Sequence, residues 1–287
     1  MNNSYKNRVK LGKVEMKIQH IVPESEILQN HIAYYFTFDF AGANPPKELL
    51  SYPNHLHLVT FYNNFRSIYS EQQFNFQKGD KFNVDILGRY TKPLVNRCSV
   101  PMKGITIVFK PLGINYFCDK SFNELVPNVS ADFFLWNEKS FELEQLLYIE
   151  DVTEMRKSLD SILLSFYRPF ENKILTETLA LLHGNYADYN VEQISEILKI
   201  SRKTLLRQFQ KHLGVSFTDY RRILRFRDAI KLHRGKDEKL TKLAYETYFC
   251  DQSHFIKDIQ KLTDETPKKI FKDSEFVKGA PFFIKIR

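Results

Sequence analysis

The 287-residue chain carries 42 Lys and Arg against 34 Asp and Glu, a formal net charge of +8 that fits a nucleic acid, a membrane surface or neither. With 43% hydrophobic and 14% aromatic residues it can bury sizeable cores, which excludes a disordered chain, and its length fits two domains. Cys98, Cys118 and Cys250 are widely spaced and form no CxxC pair, which argues against a disulfide framework or a zinc cluster and for a reducing compartment, the cytoplasm.

Residues 1–15 are polar and basic, lack the apolar stretch of a signal peptide, and are expected to be a flexible N-terminus. No apolar run approaches the length of a membrane span, so no membrane partner is expected. MKIQHIVP alternates like a strand, and ESEILQNHI has helical spacing at Ile27, Leu28 and Ile32. From Ala33 the texture changes to AYYFTFDFA, HLHLVTFYNNF, SIYSEQQFNF, KFNVDILGRYT and GITIVFKPLG. These are β-branched and aromatic runs broken by Gly, Pro and Asn, as in an antiparallel sheet or small barrel. A mainly β domain over 16–135 follows, with short helical turns and loops between about 113 and 132. Residues 136–170 read as a helical connector, in which Val152, Met155, Leu159, Ile162, Leu163 and Phe166 share one face. That face either packs on its own domain or pairs with a second copy; Arg168-Pro169 ends the segment.

The charge is uneven: from Glu171 onward there are 23 Lys and Arg against 16 Asp and Glu, while residues 1–170 hold 19 against 18. Here Ile174, Leu175, Thr178, Leu179 and Leu182 make one helical stripe, stopped by Gly184-Asn185. Asn190 with Gln193 forms a capping-box pattern, Ser201 caps a following helix, and Gly214 suits its end. Ser216 with Asp219 opens a long helix, FTDYRRILRFRDAIKLH, expected to end near Gly235. Then LTKLAYETYFC and DQSHFIKDIQKLTD repeat the earlier pair VEQISEILKI and SRKTLLRQFQKHLG. Ser201 matches Asp251, Leu205 matches Phe255, Phe209 matches Ile259 and Ser216-Phe217 match Thr266-Pro267, a constant offset of 50 residues. Two such copies are what two helix-turn-helix units require, each with a support helix, a tight turn and a second helix free to enter a groove.

Residues 174–272 resemble the AraC/XylS family of bacterial transcription regulators, through SRKTLLRQF, then G-V-S, Tyr220 with RILRFRDAIKL, LAYETYF-DQSHF and T-P in matching order. The resemblance implies a DNA-binding domain over 171–273, two helix-turn-helix units joined by one long helix, with 274–287 as a tail. The fold class is then α+β: an N-terminal mainly β domain followed by an all-α domain. The β half is similar, more weakly, to the sensor-side domain of one branch of that family, through the order AYYF, SYPNHLHLVTFY, ILGRYTKP and ITIVFKPLGINYF, which implies sensing or dimerisation. The expected partners are double-stranded DNA, RNA polymerase, a small-molecule effector and a second copy of the chain. Three departures stand out. Phe217 replaces a frequent proline, and Tyr248 and Asp264 replace glycines of the second unit, which is therefore expected to bind less tightly or less selectively.

In the first recognition helix Leu205 and Phe209 face inward, leaving Arg202, Lys203, Leu206, Arg207 and Gln208 towards DNA. By resemblance Lys203, Leu206 and Arg207 match positions that reach base edges. Arg207 suits guanine, whose two acceptors fit a guanidinium fork, and Leu206 suits a thymine methyl. In the second helix Phe255 and Ile259 point inward, and Ser253, His254 and Lys257 match the contacting positions. Gln252 is a phosphate or adenine contact. Lys242 and the connector arginines Arg221, Arg222, Arg225 and Arg227 are phosphate contacts or solvated charge.

His55 and His57 alternate in NHLHL and would share a strand face, but no further histidine follows in the β half. Partly exposed sheet histidines are expected rather than a metal site. Cys118, in NYFCD, reads as a buried thiol. Since GxGxxG, Walker-type and GxSxG motifs are absent, neither catalysis nor a cofactor or metal is expected. The reading is a sequence-specific DNA-binding transcription regulator of AraC/XylS type, an activator or a repressor, reading two successive major grooves with two recognition helices. The alternative is a ligand- or metal-binding sensor acting through protein partners, with only non-specific DNA affinity.

Overall fold

The β-branched and aromatic runs of the N-terminal half fold into two facing sheets. The structure is a computed structural model and describes residues 5–11, 14–39, 48–88, 90–98, 101–127, 129–185, 189–233, 240–249, 251–273, 275–276 and 283–286. The first elements are β1 (Tyr5–Leu11), β2 (Val14–Ile21), α1 (Glu26–His31), β3 (Ile32–Asp39), β4 (Leu49–Ser51) and β5 (His57–Tyr62). Then come β6 (Phe65–Ser70), β7 (Gln73–Lys78), β8 (Asn83–Leu87), β9 (Leu94–Cys98) and β10 (Lys103–Phe109). A 3-10 turn at Gly113–Tyr116, α2 (Phe122–Leu125) and β11 (Ser130–Asp132) lead to α3 (Ser140–Gln145) and α4 (Val152–Phe166).

One sheet runs β1-β2-β3-β10-β5-β8-β11 and is antiparallel throughout. Its central strands are buried on both faces, because each pleat sends alternate residues to a different core. Ile105, Ile107 and Phe109 of β10 join Val59 and Phe61 of β5 under α1 and α4. Val108, Leu58 and Tyr62 point the other way, with Phe36 and Phe38, to meet Phe65 and Phe76 of the second sheet. In that sheet β4, β9, β7 and β6 are neighbours, and the β7–β9 pair is parallel.

The connector packs on its own domain. Met155, Leu159, Leu163 and Phe166 of α4 lie in the core of the first sheet, and the buried Asp160 carboxylate accepts from Tyr35 Oη at 2.8 Å and from the backbone N–H of Glu24 and Ser25. Two terminal expectations are corrected. Tyr5–Leu11, taken as part of a flexible segment, pairs with β2 from Tyr5 opposite His20 to Leu11 opposite Val14. Its alternation of Lys and Arg with Tyr, Asn, Val and Leu has the strand period, hidden by the charge. The tail expected over 274–287 supplies β12 (Glu275–Phe276) and β13 (Phe283–Ile286), and β13 pairs antiparallel with β4.

Between Phe166 and the tail the structure is helical: α5 (Lys173–Asn185), α6 (Val191–Ile197), α7 (Arg202–Leu213), α8 (Phe217–His233), α9 (Leu240–Glu246), α10 (Gln252–Thr263) and α11 (Pro267–Asp273). The fold is therefore α+β, a β-rich N-terminal part followed by an α-helical region. The expected end of the long helix near Gly235 lies outside the described residues, and α8 is described to His233. Each helical core also takes in residues of the β half. Leu112 packs with Leu205, Phe209 and Tyr220, and Leu50 and Tyr52 of the β4 region pack with Phe226, Phe255 and Ile259.

Candidate nucleic-acid interface

The sequence's own stop and start signals fix the two recognition helices, α7 and α10. Asn190 caps α6 through a full capping box with Gln193. The Ser201 hydroxyl accepts from Thr204 N–H at 3.1 Å to open α7, and the Asp251 carboxylate accepts from His254 N–H at 2.7 Å to open α10. Both helices end on a left-handed residue at the same place in the repeat, Gly214 at φ 70° and Asp264 at φ 55°.

The turns that enter them also match. Lys199 and Tyr248 have φ of 52° and 58°. The bonds Lys199 N to Glu196 O and Ile200 N to Ser195 O recur as Tyr248 N to Tyr245 O and Phe249 N to Ala244 O. Both are Schellman closures with a non-glycine residue in the left-handed position. Before the turn the copies are therefore offset by 49 residues, and after it by 50. Tyr248 and Asp264 do adopt the backbone that glycine favours; the second unit shares the first unit's non-glycine turn, and its added strain lies at Asp264, where the first unit has Gly214.

Leu205, Phe209 and Leu213 anchor α7 to its core, as Phe255, Ile259 and Leu262 anchor α10. The opposite faces are open. On α7 Lys203, Leu206, Arg207 and Gln210 are exposed, at spacings of three, four and seven that stack them on one stripe; Leu206 keeps 43% of its surface in solvent. On α10 the same stripe is Ser253, Ile256, Lys257 and Gln260, with Ile256 half-buried and the other three exposed. Among the described residues Lys203, Arg207 and Lys257 form no ion pair, so three cations are held out on two helix faces.

Other expected contacts stand elsewhere. Arg202 lies beside the stripe, paired with Glu192 at 2.8 Å. Gln208 faces the domain, where its carboxamide oxygen accepts from Asn172 Nδ2 at 2.9 Å. The Gln252 side chain accepts from Thr241 Oγ1 at 2.7 Å. His254 is turned to the flank, its ring edge-on to Phe249 at 5.2 Å and 3.7 Å from Asp258. Lys242 lies on α9, 3.6 Å from Glu246. Gln210 and Gln260 were missed by sequence reasoning; the signal was available, since each lies seven residues past the first stripe position.

Two of the connector arginines, Arg222 and Arg225, are corrected from phosphate contacts or solvated charge to internal braces. Asp258, 8% exposed on α10, accepts from Arg222 Nε and Arg225 Nη2 of α8, both at 3.1 Å. Arg222 also pairs with Asp219, and Arg225 lies over the Phe249 ring at 4.8 Å. Arg221 lies over Phe217 at 5.8 Å, and Arg227 is 7% exposed, its guanidinium pKa lowered by burial. The long helix thereby fixes α10 through charge as well as through its apolar core.

Of the two histidines expected to be partly exposed, His55 is half-buried and His57 is buried against the helical region. His57 Nε2 donates to the carbonyl of Leu213, the last residue of α7, at 3.1 Å, and its ring stacks on Phe122. Burial holds its pKa down at about 4, partly offset by that hydrogen bond. His55 packs edge-on to His183 and Tyr220. Asn115 donates to His212 O at 3.3 Å, and its carbonyl accepts from His212 Nδ1 at 3.0 Å. The carboxyl end of α7 is thus tied to the β half at Leu213 and His212 both. Cys118 is buried, its thiol donating to Ile114 O and its pKa raised to about 12 by burial. Among the described residues no group of three or more His, Cys, Asp or Glu is placed to hold a metal ion, and no helix is long and apolar enough to cross a membrane.

Residues 194–273 match the family described as a helix-turn-helix domain. The transcriptional activator RhaS of Enterobacter sp. strain 638 is 30% identical over 97 residues, 33% of this chain and 35% of that protein. An uncharacterized HTH-type transcriptional regulator of Haemophilus influenzae is 24% identical over 99 residues, 34% of this chain and 33% of that one. The chain thus spans about a third of the length of the curated relatives it matches. ToxT from Vibrio cholerae superposes with a TM-score of 0.48 and 12% identity over 79% of this chain and 94% of its own, a level from which no shared property follows.

Proposed function

We propose that this chain, whose C-terminal region is a helix-turn-helix domain of the AraC/XylS type, is a sequence-specific DNA-binding transcription regulator that reads two successive major grooves with α7 and α10. The observation that carries this is the pair of matched open stripes, each on a helix whose other face is locked in a core. In this reading Arg207 grips a guanine through its two acceptors, Leu206 meets a thymine methyl, and Lys203, Ser253 and Lys257 complete the contacts. Arg202 and Lys242, at the margins, hold phosphates. Gln208, Gln252 and His254, engaged by Asn172, Thr241 and Phe249, brace the helices against their neighbours.

Residues 171–273 are the DNA-binding domain in this account, and 16–135 the sensing or dimerising one, to which 136–170 adds packing. A small effector would fit the cleft of about 470 Å³ between Phe38, Lys103, Ile105, Leu147, Val152 and Met155. The protein acts in the cytoplasm, on double-stranded DNA and with RNA polymerase, and uses no catalytic step.

The test is affinity for a site selected in vitro against affinity for random duplex DNA, over a salt series, for wild type and Arg207→Ala. Loss of a bidentate guanine contact costs about 1–3 kcal/mol on the selected site, with little change on random DNA. Equal losses on both, with the salt slope reduced by about one charge, make Arg207 a phosphate contact and refute its assignment.

A further inference from the structure

The two open stripes differ at three of their four positions: Lys203 against Ser253, Leu206 against Ile256, Arg207 against Lys257. The fourth is identical, Gln210 against Gln260, exposed on both helices. Among the described residues neither carboxamide hydrogen-bonds within the protein, whereas Gln208 and Gln252 are engaged by Asn172 and Thr241. A helix lying in the major groove reads with residues at i, i+3, i+4 and i+7, the spacing of a homeodomain recognition helix. Gln210 and Gln260 occupy the i+7 place.

We propose that Gln210 and Gln260 are specificity-determining residues, each reading an adenine at the corresponding place in its own half of the site. The inference rests on the DNA-reading function proposed above. Chemically the carboxamide is the one neutral group on either stripe that donates and accepts through two separate atoms at once, as the single hydroxyl of Ser253 cannot: its NH2 donates to adenine N7 while its oxygen accepts from the N6 amino group. A phosphate contact would use the donor alone and favour a cation, and Lys211 and Lys261 stand at the next position of each helix for that task. The three differing positions then make the two halves of the site unlike elsewhere, and the shared glutamine makes them alike at this one base.

The experiment is selection from random duplex DNA with the full-length protein, as wild type, Gln210→Ala and Gln260→Ala, followed by affinities on the selected duplex with each base varied. Alanine at an exposed helix position preserves the helix, and circular dichroism checks it. The expected wild-type site has two blocks with adenine at matching places. Gln210→Ala lowers the preference for adenine about 5- to 150-fold in one block alone, and Gln260→Ala in the other alone, with the salt slope unchanged. Unaltered base preferences in both variants, or losses alike on selected and random DNA, overturn this proposal while the DNA-reading function stands. A wild type that enriches no site overturns both.

Discussion

Asp258→Ala removes the carboxylate that ties the second recognition helix to the long helix. The side chain is 11% exposed, and its partners Arg222 and Arg225 are 12% and 15% exposed, so all three charges sit largely out of water. Breaking a buried pair by deleting one partner costs about 3–5 kcal/mol, mostly because a charge is left uncompensated. Here the two cations keep other support. Arg222 retains Asp219, and Arg225 retains the Phe249 face, worth about 0.5–2 kcal/mol. The net loss is therefore about 2–3 kcal/mol, a large share of the stability of a small helical domain. Urea unfolding of the full-length chain, followed by far-ultraviolet circular dichroism, measures it, and a double-mutant cycle with Arg225→Ala isolates the shared term. DNA affinity falls too, since α10 loses its brace. A loss below about 0.5 kcal/mol, the size of an exposed pair, would refute the bracing role.

Two further outcomes follow from backbone and protonation. Tyr248→Gly removes a side chain from a left-handed position and raises stability by about 1 kcal/mol, read as a shift in the urea midpoint with unchanged slope; a loss instead means that the exposed ring contributes more than the strain removes. His57 is held neutral by burial, at about 4 against an ordinary value near 6.5, so the unfolded chain binds the extra proton first. Its contribution is complete above pH 6.5 and is lost as pH falls towards 4, about 3 kcal/mol at most. Asp85 works the other way, since burial raises its carboxyl to about 6. The wild-type curve alone therefore mixes the two. The stability difference between wild type and His57→Gln isolates the histidine, and it shrinks between pH 6.5 and 4; a difference independent of pH would show that His57 titrates normally.

What the sequence disclosed was local. Asn190, Ser201 and Asp251 are caps because a short polar side chain before an apolar period satisfies free N–H groups within three residues. Leu205, Phe209, Phe255 and Ile259 face inward as their spacing requires, and Tyr248 and Asp264 take the backbone of the glycines they replace. The parallel β7–β9 pair and the return of β13 to β4 were not legible, because strand partners are chosen across the chain by packing on both faces. Distance in sequence also hid the roles of charge. Arg222 and Arg225 read as free cations until Asp258, more than thirty residues on, is brought against them. His57 reads as a partly exposed strand residue until Leu213 is brought against it from the far half. A helical wheel says which face is polar but not which polar groups the domain itself engages, so the bond from Asn172 to Gln208 was not legible, and neither was the contact of His254, assigned by resemblance, with Phe249.

The central claim is that α7 and α10 read DNA together. Hydroxyl-radical footprinting of the full-length wild-type protein on its selected duplex tests it most directly. The account predicts two protected patches on one face of the DNA, about 10 base pairs apart, with Arg207→Ala weakening one and Lys257→Ala the other. A single patch, insensitive to Lys257→Ala, would contradict it.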